Sequence, residues 1–535
     1  MFNARYPLPE PAWASLLPSV DTTAVLACFL VLARSAALRR GQAERRIASA
    51  AFWGLAFITF VVRLFRVGDG IAEVFMERHA NLFVDAVLLP EVIRLLYSTL
   101  PLLQFSLVIL GLLICVPLSI WLAYRAWRAT ARDLAQREVA ASFLVITLAL
   151  GVVGWVRPKP IDHERYARAF SASVLPRVRD DMNVFLQARE LRVQREARLR
   201  LARARFAESK GDLAKLEGAN VLLFVVESYG VTVLRKATYV PHTEAMYAAF
   251  ESALSKKGFQ VVSNLLDSPT TGGGSWLAHA SMLSGMRVAD QDDYQFMVQA
   301  EPRSLVWFFA EAGYYTVSAE PGTQRQSADP YHFEQRIWGP KFGYRGPKFT
   351  WAPMPDQFII DRIHRTEVLD HPEPKFIKYT LVSSHAPWSQ LPPVLENWND
   401  VGDGSIYRSL PKTQFPTSWT NLSQAQLPYM RSVEYSMEVI RRYLEEFVDD
   451  DSLVIVLGDH QPSALVTDRS PDMSVPIHIV SRNRDFLRKF EKRGYVPGMK
   501  PALNRRRVRP LESFPGDLLE DFSTRLGEAG RAGTR

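Results

Sequence analysis

NVLLFVVES, Asn220–Ser228, is the stretch whose reading decides the fold. It is a short unbroken apolar run, rich in Val and Leu, that stops at an acid, Glu227. Without polar alternation, such a run suits a strand buried on both faces of a parallel sheet. Similar runs recur in KFIKYTLVSS (Lys375–Ser384), SLVIVLGD (Ser452–Asp459) and VPIHIVS (Val475–Ser481). Helical patterns lie between them, among them SLVWFFAEAGY from Ser304 and YMRSVEYSMEVIRRYLEEFV from Tyr429. Strands alternating with helices predict an α/β fold with a mostly parallel sheet.

Sites in such sheets form beyond the carboxyl ends of the strands. Those ends carry Glu227, the pair Asp459–His460, and His385 in SSHAPW. Between the first and last of these strands lies SPTTGGGSWLAHASMLSG, Ser268–Gly285, where three glycines precede Ser275 and an apolar helical pattern. A Gly-rich turn opening a helix presents a hydroxyl and backbone N–H groups to an anion. Two carboxylates and an imidazole suit one divalent metal of intermediate hardness, zinc or manganese. A metal-bound Ser hydroxyl loses its proton near neutral pH and becomes a nucleophile. Each piece alone has a blander reading: a helix cap for the carboxylate, a flexible loop for GGGS. Their order and their placement at strand ends carry the argument.

Upstream the chain changes character. Four stretches before residue 157 are long and apolar enough for a bilayer helix, which needs about 20 residues. They run from Leu16 to Leu38, from Ile47 to the first charge at Arg63, from Leu95 to Tyr124, and from Val139 to Val156. Arg34 sits near the end of the first and Arg39, Arg40, Arg45 and Arg46 follow it, and the loop after the third holds Arg125, Arg128, Arg132 and Arg137. Short basic loops stay in the cytoplasm, so the N-terminus and everything after Val156 are expected outside. No cleaved signal peptide is read at the N-terminus. Both cysteines, Cys28 and Cys115, fall inside spans, which excludes thiol and Cys-based zinc chemistry from the outer domain. The expected organisation is a membrane domain over 1–156, a basic helical linker over 157–219, a catalytic domain over 220–526 and a tail over 527–535.

From about Asn220 to Leu526 the chain resembles the sulfatase-type branch of the alkaline phosphatase superfamily. It is most similar to the membrane-anchored phosphotransferases of that branch: lipoteichoic acid synthases, and the phosphoglycerol and phosphoethanolamine transferases of bacterial envelopes. NVLLFVVES matches the family's opening strand and VLGDH its late metal pair. The resemblance implies metal ligands at Glu227, Ser275, Asp459 and His460. Counting back from Ser284-Gly285 puts the nucleophile on Ser275, and His385 is implied at the substrate phosphate or leaving group. The implied reaction moves phosphoglycerol or phosphoethanolamine from a phospholipid donor, through a Ser-linked intermediate, to an envelope glycan or lipid acceptor. The implied location is a bacterial-type inner membrane, multi-pass, with the catalytic domain outside.

The sequence also departs from that branch. Arylsulfatases carry C-x-P-x-R, whereas this chain has Ser275-Trp276-Leu277-Ala278-His279, without the Pro and the Arg. Formylglycine sulfatase chemistry is therefore not expected. The phosphotransferases usually use Thr, so Thr270 and Thr271 stand as alternatives to Ser275. His279 falls where a sulfatase has Arg. With Trp276 and Arg325 it makes the candidate substrate-binding set, and His332, Arg336 and Arg345 are further phosphate or sugar candidates. A phosphodiester or sulfate ester hydrolase with the same site is the nearest alternative. A non-catalytic membrane scaffold is the alternative from another class.

The isoelectric point near 9.3 would by itself suggest nucleic acid. The distribution of charge removes that reading. Residues 1–156 carry 14 Lys and Arg against 10 Asp and Glu, and 157–219 carry 15 against 9. Residues 220–535 carry 35 against 37, so the outer domain is slightly acidic. The excess cations belong where they set topology and meet anionic headgroups. No nucleic-acid reader motif is present, and no nucleic-acid partner is expected.

Overall fold

The computed structural model describes residues 49–61, 102–133 and 211–524, with scattered helical positions at 46–93 and 186–204. Within 211–524 it leaves out 302, 324–329, 350–353, 389, 416–421, 450, 464–465, 468–471 and 505–507. The chain divides into two compact units, Met1–Val74 with Arg78–Leu191, and Phe75–Glu77 with Arg192–Arg535.

In the first unit the helix Leu102–Asp133 is 32 residues long. Its segment Leu102–Ala129 is, among the described residues, the one helix long and apolar enough to cross a membrane. It is apolar all round, and Leu102, Leu103, Leu113 and Ile114 are exposed. A second, shorter apolar helix, Ser49–Val61, packs against it. Trp53 stacks on Tyr124 with ring centroids 4.3 Å apart, and Trp127 Nε1 donates to Thr59 Oγ1 at 3.1 Å. The expected spans at Leu16–Leu38 and Val139–Val156 lie outside the described residues.

The second unit is built on a sheet whose strands, in chain order, are β1 Val221–Val226, β2 Gln260–Asp267, β3 Tyr315–Glu320, β4 Gln335–Trp338 and β5 Lys375–Leu381. These are followed by β8 Leu453–Gly458, β9 Ser474–Ser481, β10 Val496–Pro497 and β11 Arg509–Pro510. β6 Gln390–Leu391 and β7 Thr413–Gln414 form a separate pair. The spatial order is β10-β2-β9-β8-β1-β5-β3-β4, with β11 beside β2. β1 lies between β5 and β8 and runs parallel to both. Only β9 and β10 oppose the rest. VPIHIVS, read with the buried parallel runs, is thus an antiparallel strand. Among the described residues no helix lies between β8 and β9, and an antiparallel neighbour needs no crossover.

Every residue of β1 is buried. Leu223 and Val225 face the helices Ser275–Ser284, Leu305–Glu311 and Phe514–Phe522 within one apolar core. Phe224 points the other way, as the two-residue period of a strand requires. Its ring stacks on Tyr379 at 4.5 Å and meets the edge of Tyr443, in the helix Gln426–Phe447, at 6.1 Å. The basic linker ends as part of this unit. Leu199 is buried in the same core, and Gly211 lies so close to Leu519 that a Cβ there would come within 2.8 Å of it. The helix expected up to Gly218 does not run through residues 211–213, and Ala214–Leu216 is a short 3-10 turn.

The two-faced core makes Phe224→Ala a severe lesion. The expected loss is about 3–5 kcal/mol of stability, from transfer and cavity terms together. It is read as a fall in the denaturant midpoint of the purified full-length protein. A midpoint unchanged from wild type would contradict this account of the sheet's centre.

Candidate active site

Three adjacent parallel strands deliver the polar groups. β1 ends at Glu227, β8 at Asp459 and His460, and β5 leads through Ser383 and Ser384 to His385. The hydroxyl comes from a fourth element, the helix Ser275–Ser284, which begins on Ser275. Glu227, Asp459 and His460 are each buried, and one ligand atom from each lies within 4.8 Å of the others. Ser275 Oγ donates to Glu227 Oε2 at 3.0 Å and lies 3.1 Å from His460 Nε2. His460 Nε2 is 3.4 Å from Glu227 Oε1 and 3.5 Å from Asp459 Oδ2. The structure thus brings together Glu227, Ser275, Asp459 and His460.

Local bonding fixes how these groups face. Asp459 Oδ1 accepts the backbone N–H groups of Ser228 and His460, both at 2.7 Å, so Oδ2 turns to the cluster. His460 Nδ1 meets the carbonyl of Gln461 at 2.8 Å. A carbonyl only accepts, so Nδ1 carries the proton, and the lone pair of a neutral ring sits on Nε2. Ser228 is held at φ 56°, and Tyr429 donates to its carbonyl at 2.8 Å. Gly458, just before Asp459, passes the Tyr229 carbonyl so closely that a Cβ would sit 1.8 Å from the oxygen. The glycine in VLGDH is therefore a steric requirement of the strand end.

The GGG turn is also specified. Gly274 is at φ 80° and has no side chain to cap the helix, which leaves the helix start facing the cavity. Thr270 Oγ1 donates to the Gly273 carbonyl at 2.6 Å, and Gly272 N–H to the Gln461 carbonyl at 2.8 Å. The Thr270 hydroxyl is thus spent on the turn, and Thr271 pairs with Gln461 through a backbone bridge. Of the three hydroxyls weighed from sequence, the one hydrogen-bonded into the acidic cluster is that of Ser275.

The electrostatics of the cluster are unbalanced. Burial pushes the Glu227 carboxyl up, but His385, His460 and the Ser228 and Ser275 hydroxyls outweigh it and hold the group below the usual carboxylate range. Asp459, buried and beside the Glu227 charge, is pushed up to about 7. His460 is pulled down by burial and raised further by Asp459 and Glu227. Two carboxylates this close cannot both ionise cheaply without a cation between them. That strain, with the Nε2 lone pair aimed inward, is what a divalent ion would relieve.

A cavity of about 440 Å3 opens over the cluster. Ser275, Trp276, His279 and His385 line it. His279 is one helical turn from Ser275 on the same face. Trp276 is exposed, and its Nε1 donates to Gln291 at 3.2 Å. His385 Nδ1 meets the Ala386 carbonyl at 2.5 Å, and a carbonyl only accepts, so Nδ1 carries a proton. Arg325 lies outside the described residues. His332 and Arg345 are exposed and do not line the cavity. Arg336 is buried and bonds to Glu320. Sequence reasoning missed Ser318, Glu320, Lys378 and Thr380, which form a polar wall of the cavity. The available signal was polar residues two apart in VSAE and KYT, inside otherwise apolar strands.

Residues 219–479 match the sulfatase family model. A comparison with curated proteins found no match. Among solved structures, the chain is similar to the lipoteichoic acid synthase LtaP from Listeria monocytogenes, at 15% identity and TM-score 0.35. That match covers 49% of this chain and 65% of that one, just under two thirds of its length. It is also similar to the phosphoglycerol transferase GacH from Streptococcus pyogenes in complex with sn-glycerol-1-phosphate, at 14% identity and TM-score 0.37, over 62% of this chain and 91% of that one. The C-terminal periplasmic domain of EcEptC from Escherichia coli, in complex with Zn, matches at 13% identity and TM-score 0.33, over 49% of this chain and 72% of that one. The family match, with a buried acid–histidine cluster at the ends of β1 and β8, leads to one conclusion. Residues 219–479, in the second unit of this chain, form a sulfatase-family domain, that of an enzyme of phosphoryl or sulfuryl transfer or hydrolysis.

Proposed function

We propose that the protein is a membrane-anchored phosphotransferase. It moves a phosphoglycerol or phosphoethanolamine group from a phospholipid to an envelope glycan or lipid, with Ser275 as nucleophile. The observation that carries this reading is the Ser275 hydroxyl hydrogen-bonded into the Glu227–His460 cluster at the floor of an open cavity.

Glu227, Asp459, His460 and Ser275 would hold one divalent cation, and the mixture of carboxylates and imidazole favours zinc or manganese. When bound, the cation supplies Lewis acidity to the serine oxygen and to the oxygens of the transferred phosphoryl group. The residues of the chain do the rest. Ser275 Oγ gives up its proton to solvent and bonds to phosphorus, while the bond from phosphorus to the lipid oxygen breaks. The leaving diacylglycerol oxygen takes a proton from Nε2–H of the doubly protonated His385 ring. The product is a Ser275 phosphodiester carrying the headgroup. In the second step an acceptor hydroxyl passes its proton to His385 Nε2 and attacks phosphorus, and the bond from phosphorus to Ser275 Oγ breaks. The helix start at Ser275 favours the anionic phosphate throughout.

The apolar helix Leu102–Ala129 supports an anchor in the membrane that supplies the donor. The multi-pass arrangement, with the catalytic domain outside a bacterial-type inner membrane, completes this reading. The missing Pro and Arg after Ser275 set formylglycine sulfatase chemistry aside.

Two experiments test it. Full-length protein in detergent, given labelled phosphatidylglycerol or phosphatidylethanolamine with Mn2+, should show a covalent headgroup phosphate on Ser275 by peptide mass spectrometry. Ser275→Ala should abolish the adduct, and an adduct that persists in that variant sinks the nucleophile assignment. The second is the pH dependence of metal affinity. Asp459 must lose its proton from about 7, and His460 from above its ordinary value, before either can bind a cation. Metal affinity should therefore rise with pH between 6 and 8, by about tenfold per unit for each proton displaced. Calorimetry showing an affinity flat over that range would contradict the ligand set.

A further inference from the structure

The chain that leaves β5 is held by a buried acid outside the cluster at Ser275. The ladder between β1 and β5 ends at Val226 and Leu381. Val382 and Ser383 lie beyond it, and their backbone N–H groups both meet one oxygen, Asp356 Oδ1, at 2.8 and 3.0 Å. Successive N–H groups of a strand point to opposite sides. Two that converge on one atom mark a turn, and the His385 N–H closes it on the Val382 carbonyl at 3.1 Å. The Asp356 N–H in turn donates to Ser383 Oγ at 3.0 Å.

Asp356 opens the helix Asp356–Ile363 and is fully buried. Its other oxygen, Oδ2, accepts from Ser436 Oγ, in the helix Gln426–Phe447, at 2.6 Å. That is the length of a hydroxyl bonded to a charged carboxylate. Burial pushes the carboxyl up, while Ser436, Val382 and Ser383 pull against it. The helix start also favours the charge. A buried acid is costly unless its hydrogen bonds are met, and here three donors meet it. An apolar side chain would fill the space at less cost, but it would leave two buried N–H groups unmet.

The constraint runs on to the cavity. Asp356 holds the Val382 N–H, and the Val382 carbonyl holds His385, so the place of His385 follows that of Asp356. The Glu227 side of the turn is anchored separately. Ser384 Oγ donates to the Glu227 carbonyl and Trp388 Nε1 to the Ser384 carbonyl, both at 2.6 Å. His385 itself is half-buried and lines the cavity.

We infer that Asp356 is a positioning residue for His385. Its carboxylate fixes the turn Val382–His385, and through it the imidazole that moves the proton in the cavity. The inference rests on the proposed part of His385 in transfer. A misplacement of about 1 Å in a reacting group can cost about a hundredfold in rate.

The test compares Asp356→Asn with wild type, as full-length protein in detergent with Mn2+, in the native chain and again in a His385→Ala chain. Asparagine keeps the shape and one acceptor oxygen but removes the charge. In the native chain Ser275 adduct formation should slow about tenfold, with the half-saturating lipid concentration changed less than about twofold, as bonds to a charged acceptor become neutral ones. In the His385→Ala chain the same substitution should change the rate less than about twofold, because a residue acting through His385 has nothing left to act on. The second readout is carbethoxylation by diethyl pyrocarbonate, followed by peptide mass spectrometry. His385 should label at least about threefold faster in Asp356→Asn, while the buried His364 and His478 stay as slow as in wild type. An equal loss of rate in both chains, a wild-type rate in Asp356→Asn, unchanged labelling of His385, or a rise shared by His364 and His478 would each overturn the proposal. If wild type forms no Ser275 adduct, the transfer reaction fails while the labelling still decides whether Asp356 holds His385, so the two failures are distinguishable.

Discussion

Two carboxylates and an imidazole are buried against one another at the ends of β1 and β8, and the surrounding structure is organised to hold them there. The cluster is unfavourable by itself. Asp459 is pushed up to about 7 beside Glu227, which is the signature of negative charge confined without enough positive charge. Stability at this point comes from the sheet. β1 is buried along its whole length and flanked on both sides by parallel strands, so the carboxyl ends of three strands converge. Backbone N–H groups fix one oxygen of Asp459, and a carbonyl fixes the tautomer of His460. The groups left over all point to one place.

The Ser275 hydroxyl is placed by the same arrangement from the other side. Ser275 opens a helix whose preceding turn is tied by Thr270 to Gly273 and by Gly272 to Gln461, the residue after His460. The loop carrying the serine and the loop carrying the acid–histidine pair are thus hydrogen-bonded to each other. A change in one is transmitted to the other over a few ångströms. Gly458 allows no substituent at the point where its loop passes Tyr229, which explains a glycine there in steric terms.

Much of this was legible in the sequence, for identifiable reasons. Unbroken runs such as NVLLFVVES carry the signal of a doubly covered strand, and the acid or histidine that ends each run marks a strand end. Glu227, Asp459, His460 and His385 came from that reading, and Ser275 from the glycine-rich turn before a helical pattern and the count back from Ser284-Gly285. Two things were hidden. The direction of β9 was not readable, because the apolar run VPIHIVS looks the same parallel or antiparallel, and only the missing helix before it distinguishes the two. The wall of Ser318, Glu320, Lys378 and Thr380 was not read, because each residue alone resembles an ordinary strand polar group. It becomes a surface only when β3 and β5 pair in register. Arg336, picked as a phosphate candidate, turned out to be the partner that holds Glu320.

The central claim is that the acid–histidine cluster is a one-metal site that serves Ser275. Metal content of the purified full-length protein by mass spectrometry tests it most directly, with Asp459→Asn beside wild type. The account predicts about one divalent ion per chain in wild type and close to none in the variant, since a coordinating carboxylate is lost from a closed ligand set. A variant that retains the wild-type metal content, or a metal-free wild type that still forms the Ser275 adduct, would contradict it.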